Sequence, residues 1–233
     1  QISQRPIPEL DLTTPGRVAD TMLRFQSMGL PSVGFVSPTH FLPQIVQAIE
    51  IAASKGLTLP LIHNSNAYDS VEAIRLLDGI FDIYLPDFKY ASNEAAQRYS
   101  SAPGYVENAI AVHREMFGQV GELTVDASGA AVRGVLVRHL VLPANQAQSE
   151  QVLRILVEDV SPRIAVSLMA QYHPTHRAGE FPLIARSLWK GEYELAEAAL
   201  EELGLRTGWV QSWRHSPRNY LPDFDDDAPF KGT

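Results

Sequence analysis

The chain has 233 residues, 45% of them hydrophobic, and 19 Lys and Arg against 27 Asp and Glu give a formal net charge of −8. That is apolar material enough for a substantial core, and a balance without the cation excess of a general nucleic-acid binder. Cysteine is absent, which excludes disulfides, thiolate zinc sites, a cysteine nucleophile and cysteine-ligated iron–sulfur clusters from these residues.

No apolar run approaches the roughly 20 residues that cross a bilayer, and Gln1-Ile2-Ser3-Gln4-Arg5-Pro6 is not a signal peptide. The expectation is a cytoplasmic protein forming one domain over residues 1–233, with no membrane or nucleic-acid partner.

Thr13-Thr14-Pro15 caps a helix on which Val18, Met22, Phe25 and Met28 recur at helical spacing until Gly29. Val33-Gly34-Phe35-Val36 then reads as a short buried strand broken by Ser37-Pro38-Thr39-His40. Ile45, Ile49 and Ala52 mark the next helix, and Leu57 to Ile62 is a strand closed by His63-Asn64-Ser65-Asn66. A helix on Val71, Ile74 and Leu77 leads to a strand from Ile80 to Leu85, left through Pro86-Asp87-Phe88-Lys89. Helical pieces follow around 92–99 and 104–118, then a hairpin over Gly121 to Arg133 turning at Asp126-Ala127-Ser128-Gly129. Its second arm runs into Val135 to Leu142, the most apolar strand. A helix on Val152, Ile155 and Leu156, a strand from Ile164 to Met169, helices around 178–189 and 192–203, and a strand within Thr207 to Trp213 complete the series.

Strands alternating with helices of this length predict parallel βαβ units. Four or five in succession, without a G-x-G-x-x-G or G-K-[ST] loop, favour a partial or complete β/α barrel over a nucleotide-binding doubly wound sheet. Such strands suit a sheet covered by helices on one face and filled on the other. The acidic tail Asp223-Phe224-Asp225-Asp226-Asp227 reads as a solvated terminus rather than a calcium loop.

Chemistry in β/α barrels sits on the loops that leave the strands. Those positions here carry Ser37, Thr39 and His40; His63, Asn64 and Asn66; Asp87 and Lys89; Arg138 and His139; Gln171, Tyr172 and His173. The two-residue strand period puts Asp87 and Lys89 on one face, and Gln171 and His173 on one face. Arg138 and His139 cannot both point inward, so one is structural. An inward Arg138 needs a carboxylate partner from the protein or a ligand. Each residue also has a plain reading: Asp87 and Lys89 as a structural ion pair, His173 as an ordinary hydrogen-bonded histidine, His63 as strand packing. Trp189, Trp209 and Trp213 read as packing, and His113, His176 and His215 carry no assigned role.

Taken together, Val36-Ser37-Pro38-Thr39-His40, Tyr84-Leu85-Pro86-Asp87-Phe88-Lys89-Tyr90, Val137-Arg138-His139-Leu140-Val141-Leu142-Pro143 and Leu168-Met169-Ala170-Gln171-Tyr172-His173-Pro174 resemble the radical SAM proteins. The closest branch is that of pyruvate formate-lyase activating enzyme-like proteins, and the likeness runs from Gln1 to about Leu205. It implies an α/β fold, the partial parallel (β/α)6 barrel of that superfamily. It also implies an oxidoreductase that cleaves S-adenosylmethionine (SAM) reductively to a 5′-deoxyadenosyl radical at a [4Fe–4S] cluster, with a glycyl-radical-type protein substrate. The family's C-x-x-x-C-x-x-C cluster loop follows its first strand and runs into a segment resembling Gln1-Ile2-Ser3-Gln4. The expectation is therefore a chain lacking that strand and loop, with no metal ligand and no catalytic residue of its own.

By the same resemblance Ser37 and Thr39, with His40 beside them, stand where the family holds the methionyl amine. Asn64 and Asn66 match an Asp-Thr-Asn element whose Asp is here Asn64. Asp87 and Lys89 match a D-x-K element, Arg138 an arginine near the SAM carboxylate, and His173 a histidine near its ribose. A zwitterionic methionyl group wants both a carboxylate and a guanidinium. Two other classes stay open: a catalytically inactive scaffold that binds SAM or a partner, and a barrel lyase or aldolase with Lys89 as Schiff-base nucleophile. Without its first strand the sheet would expose an edge at Val33 to Val36 and leave Val18, Met22 and Phe25 less buried, inviting self-association.

Overall fold

The computed structural model describes residues 13–213. The Gln1-to-Gln4 segment, His215 and the acidic tail lie outside them. Among the described residues seven α-helices and seven strands follow in chain order: α1 (Pro15–Ser27), β1 (Val33–Val36), α2 (Leu42–Ser54), β2 (Leu61–Ser65), α3 (Val71–Arg75), β3 (Ile83–Pro86), α4 (Asn93–Ser100), α5 (Tyr105–Val120), β4 (Thr124–Val125), β5 (Ala131–Leu140), α6 (Ser149–Ile155), β6 (Ala165–Met169), α7 (Lys190–Glu202) and β7 (Gly208–Val210). Local chemistry sets many of the boundaries. Thr14, Ser70 and Ser92 accept the backbone N–H of Arg17, Ala73 and Ala95 at 3.3, 3.0 and 3.1 Å, capping α1, α3 and α4.

The sheet runs β1-β2-β3-β5-β6-β7, all parallel and in chain order, with β4 paired antiparallel to β5 alone. This is an α/β fold with a parallel sheet ordered as in a partial barrel. Among the described residues β1 pairs only with β2 and β7 only with β6. No helix among them is long and apolar enough to cross a membrane.

The register separates two faces. Phe35, His63 and Tyr84 are successive cross-strand partners, as are Val137 with Val166 and His139 with Leu168. These turn toward the helices, since Tyr84 donates its hydroxyl to Gln119 of α5 at 2.6 Å and His139 reaches Ser149 of α6 at 2.9 Å. Burial follows the period: Val135, Val137 and His139 are buried, whereas Leu136, Arg138 and Leu140 are half-exposed. The expected filling of the second face is therefore corrected. The second face, the lumen side of the sheet, is only partly covered: Val36 on it is 74% exposed, whereas Ile83 and Ala165 are buried.

Three further readings change. Residues 178–189 are not a helix; His176–Glu180 form a 3-10 turn, and Phe181 is extended (φ −118°, ψ 95°) because the ring of Pro182 excludes the helical conformation from the residue before it. Of the tryptophans, Trp213 packs 6.1 Å from the Tyr193 ring and Trp189 lies under the Arg186 guanidinium, while Trp189 and Trp209 are 64% and 49% exposed. Met22 is fully buried, because α1 packs against α2, while Val18 and Phe25 are partly buried.

Candidate functional site

The lumen holds a charged cluster where the strands end. Asp87 follows β3 and bridges in parallel to Arg138 of β5, which puts both side chains on the concave face. The Asp87 carboxylate takes two cations, Arg138 Nη2 on Oδ1 at 2.6 Å and Lys89 Nζ on Oδ2 at 2.5 Å. The alternation places Asp87 and Lys89 together and separates Arg138 from His139, which is fully buried on the helix side. The trio carries one net positive charge, and Arg138 Nε and Asp87 Oδ1 are both buried without a hydrogen bond, Oδ1 being held by the ion pair alone. A part-buried guanidinium with one donor unmet suits an anionic acceptor that can reach it.

The backbone beneath the cluster is clamped. The buried Tyr105 hydroxyl accepts the Lys89 N–H at 2.9 Å and donates to the Asp87 carbonyl at 3.1 Å. Burial raises the Tyr105 phenol far above its ordinary value, so it stays protonated and able to donate. Phe88, between the two charged residues, turns outward to the rings of His113 and Tyr105 at 5.1 and 6.1 Å. His139 Nδ1–H donates to the Phe88 carbonyl at 2.7 Å while Nε2 accepts from the Ser149 hydroxyl. Burial pushes His139 down to about 4, keeping it neutral.

The other candidates are distributed around this mouth. Asn64 is half-buried, and the Phe35–His63–Tyr84 register puts it on the lumen face. Asn66 is exposed, its side chain accepting the Tyr68 N–H at 2.9 Å in a local turn. Ser37 is exposed in left-handed backbone (φ 51°), its N–H donating to the Asn64 carbonyl at 2.8 Å. Thr39 donates its hydroxyl to Asp69, a buried carboxylate whose other oxygen has no partner. His40 is exposed on the 3-10 turn Pro38–Phe41. His173 lines a separate cavity with Tyr90, Tyr99 and Tyr172, and no hydrogen bond or ion pair joins it to Asp87, Lys89 or Arg138.

Sequence reasoning passed over Asp69, Tyr105 and Ser167. Asp69 caps nothing and sits in a Tyr-Asp-Ser run that reads as a turn. Tyr105 opens a helix and reads as core. Ser167 faces Arg138 across the β5–β6 register, and its place after Ala165 in the period of two was the available signal. His63 is a packed residue, 5.2 Å from the Phe81 ring and 5.6 Å from Tyr84, with its basicity lowered by burial against the opposing charge of Asp69.

The chain's own groups do not fit an iron–sulfur cluster. There is no cysteine in the sequence, and among the described residues no group of three His, Asp or Glu could hold a metal ion. Lys89 is ion-paired and its side chain is 39% exposed, unlike the desolvated amine that Schiff-base chemistry uses.

No protein-family model matches the chain. Over 160 residues it is 31% identical to an uncharacterized protein of Methanocaldococcus jannaschii, a stretch covering 68% of this chain and 42% of that protein. The chain thus spans less than half the length of this relative.

Proposed function

We propose that the lumen cluster binds S-adenosylmethionine, and that the chain is the SAM-holding part of a radical SAM-type protein resembling the pyruvate formate-lyase activating enzymes. The observation that carries this reading is the Lys89–Asp87–Arg138 trio with its unpartnered Arg138 Nε. In it Arg138 receives the methionyl carboxylate, Asp87 offers a carboxylate to the methionyl amine, and Lys89 keeps the site cationic after that exchange. Asn64 adds a neutral donor and acceptor on the same face. Reductive cleavage of bound SAM for action on a glycyl-radical-type protein would need a [4Fe–4S] cluster held by groups other than these residues. The 233 residues supply no thiolate for that cluster, so the part this chain plays is binding and orienting.

Isothermal titration of the purified chain with SAM tests the reading. Saturable binding, weakened about tenfold or more in Arg138→Gln and in Lys89→Met, is expected, since a charge-assisted contact to a carboxylate is worth about 1.5–3 kcal/mol. No heat up to millimolar SAM, or equal affinity in both variants, would sink it.

A further inference from the structure

Asp87, Arg138, Ser167 and Trp209 form one row across the mouth of the sheet. Asp87 bridges in parallel to Arg138, Arg138 is the register partner of Ser167, and Ser167 is that of Trp209. Partners in a parallel ladder turn to the same side, so all four point into the lumen. The row passes from a carboxylate and a guanidinium to a hydroxyl and then to an indole. Neighbouring strands lie about 4.8 Å apart, which sets Ser167 one step from Arg138 and Trp209 two steps, roughly 10 Å.

The last two members of the row are unengaged. Ser167 is half-buried and Trp209 is 49% exposed, and among the described residues neither makes a hydrogen bond, nor does the Trp209 ring meet another ring or a cation. A single exposed apolar side chain is ordinary. This one is set apart by the row it ends and by the strand that holds it. The Val166 N–H donates to the Thr207 carbonyl and the Gln211 N–H to the Leu168 carbonyl, both at 3.0 Å. The Gln211 side chain accepts the Ala170 N–H at 2.8 Å, and the Tyr193 hydroxyl of α7 donates to the Gln211 carbonyl at 2.8 Å. Gly208 (φ 125°) permits the close approach, since a Cβ there would collide with the Val166 carbonyl. The indole therefore stands on a fixed support.

We infer that Trp209 is the platform for the adenine of SAM, with Ser167 beside the ribose, so that the row takes the ligand lengthwise from its methionyl end at Asp87 and Arg138. The inference rests on the SAM reading of the lumen and adds to it the group that recognises the nucleoside half. A flat purine gives an indole a stacking face, and stacking needs no matched donor and acceptor. The carboxylate and the base of SAM are separated by a thioether chain and a ribose, which lets a ligand held at Arg138 reach a ring two strands away. His173 lines the aromatic cavity and is not in this row.

Isothermal titration and tryptophan fluorescence of the full chain test it, with SAM, 5′-methylthioadenosine and methionine as probes. SAM and 5′-methylthioadenosine are expected to quench the fluorescence, and Trp209→Leu to abolish the quenching although Trp189 and Trp213 remain. The same variant should bind both probes about tenfold more weakly and methionine unchanged, with most of the affinity recovered in Trp209→Phe, which keeps a ring. Arg138→Gln should do the reverse, weakening SAM and methionine and sparing 5′-methylthioadenosine. SAM affinity and quenching that survive in Trp209→Leu overturn the inference and leave the SAM reading standing. An equal loss of methionine binding in that variant overturns it too, since a damaged sheet rather than a lost platform would explain it. Absence of SAM binding by the native chain overturns the reading itself and the inference with it.

Discussion

The carboxylate of Glu192 accepts the backbone N–H of Ala144 at 2.7 Å, joining the first turn of α7 to a loop held in left-handed backbone. Ala144, Asn145 and Gln148 all have positive φ (52°, 51° and 55°), a conformation unfavourable for residues with a Cβ. The same carboxylate takes both terminal nitrogens of Arg186 at 2.6 and 2.9 Å and the Trp189 N–H at 2.9 Å, and Arg186 lies 3.8 Å over the Trp189 ring. The loop in turn accepts the Ala91 N–H at Ala147 and, through Gln146, the Tyr99 hydroxyl. One side chain thus fixes a wall of the aromatic cavity.

Glu192→Ala is expected to cost about 2–4 kcal/mol, because several charge-assisted bonds worth about 1.5–3 kcal/mol each are lost non-additively and the loop is released. Glu192→Gln, which keeps an acceptor, should lose about half as much. Urea denaturation gives both values, and a loss below 1 kcal/mol in the alanine variant would show that the loop holds itself.

Acid should act through the same group. Arg186 and the two backbone donors hold the Glu192 carboxyl down to about 2. A depressed native value means its contribution is complete above the unfolded value of about 4.3 and is lost as pH falls toward 2. Thermal melts between pH 5 and 2.5 should therefore fall more steeply for the native chain than for Glu192→Gln. Parallel curves would count against it.

Two buried histidines give a second acid limb at higher pH. Burial pushes both His113 and His139 down to about 4. A histidine lowered in the folded state takes its proton in the unfolded chain first, so stability declines as pH drops from about 6.5 and levels off below 4. Each group adds a slope of up to about 1.4 kcal/mol per pH unit. His113→Leu removes one such group while keeping an apolar side chain beside Phe88. Its stability should depend less on pH between 6.5 and 4.5 in urea titrations, and an unchanged slope would refute burial as the cause.

The lumen trio makes an asymmetric prediction. Asp87→Asn leaves Lys89 and Arg138 facing each other without their shared carboxylate, whereas Arg138→Met leaves Asp87 paired with Lys89. The first should be more destabilising than the second by about 1–2 kcal/mol, since stranded partly buried charges cost more than a lost pair. Equal losses in chemical denaturation would mean that the carboxylate is not the hub.

Gly134 allows β4 to fold back across β5. Its φ is 114°, and a Cβ there would stand 2.3 Å from the Glu122 carbonyl oxygen and 2.5 Å from Leu123 Cα, both backbone. Gly134→Ala is expected to lose about 2–4 kcal/mol, because neither neighbour can swing aside. A variant with native stability in the same assay would show that the hairpin moves freely.

The parts of this architecture visible in the sequence are those that periodicity encodes. Alternation alone sorts Arg138 from His139 and joins Asp87 to Lys89, because a strand has only two faces. What it cannot reach are bonds between segments far apart in the chain. Glu192 reads as a solvated helix residue until the fold brings it to Ala144, and nothing about Ala144 or Gln148 announces left-handed backbone, since neither is glycine or asparagine. The segment after His176 misleads for a local reason: its apolar residues recur at helical spacing, but Pro182 forbids the helical start at Phe181. The partial cover of the lumen face was hidden too, because Leu136 and Leu140 look like core until one sees which strand face lies under helices.

The parallel strands sit side by side in the order in which they occur along the chain. A polypeptide leaving the ribosome therefore never has to insert a late strand between two early ones. Each new strand finds its single neighbour already made, a few tens of residues back, and the growing sheet always offers one fresh edge. Assembly can follow synthesis from β1 toward β7. The charged trio is complete only when β5 arrives, since Asp87 and Lys89 precede Arg138 by about fifty residues, so the emerging chain acquires its lumen charge in one late step.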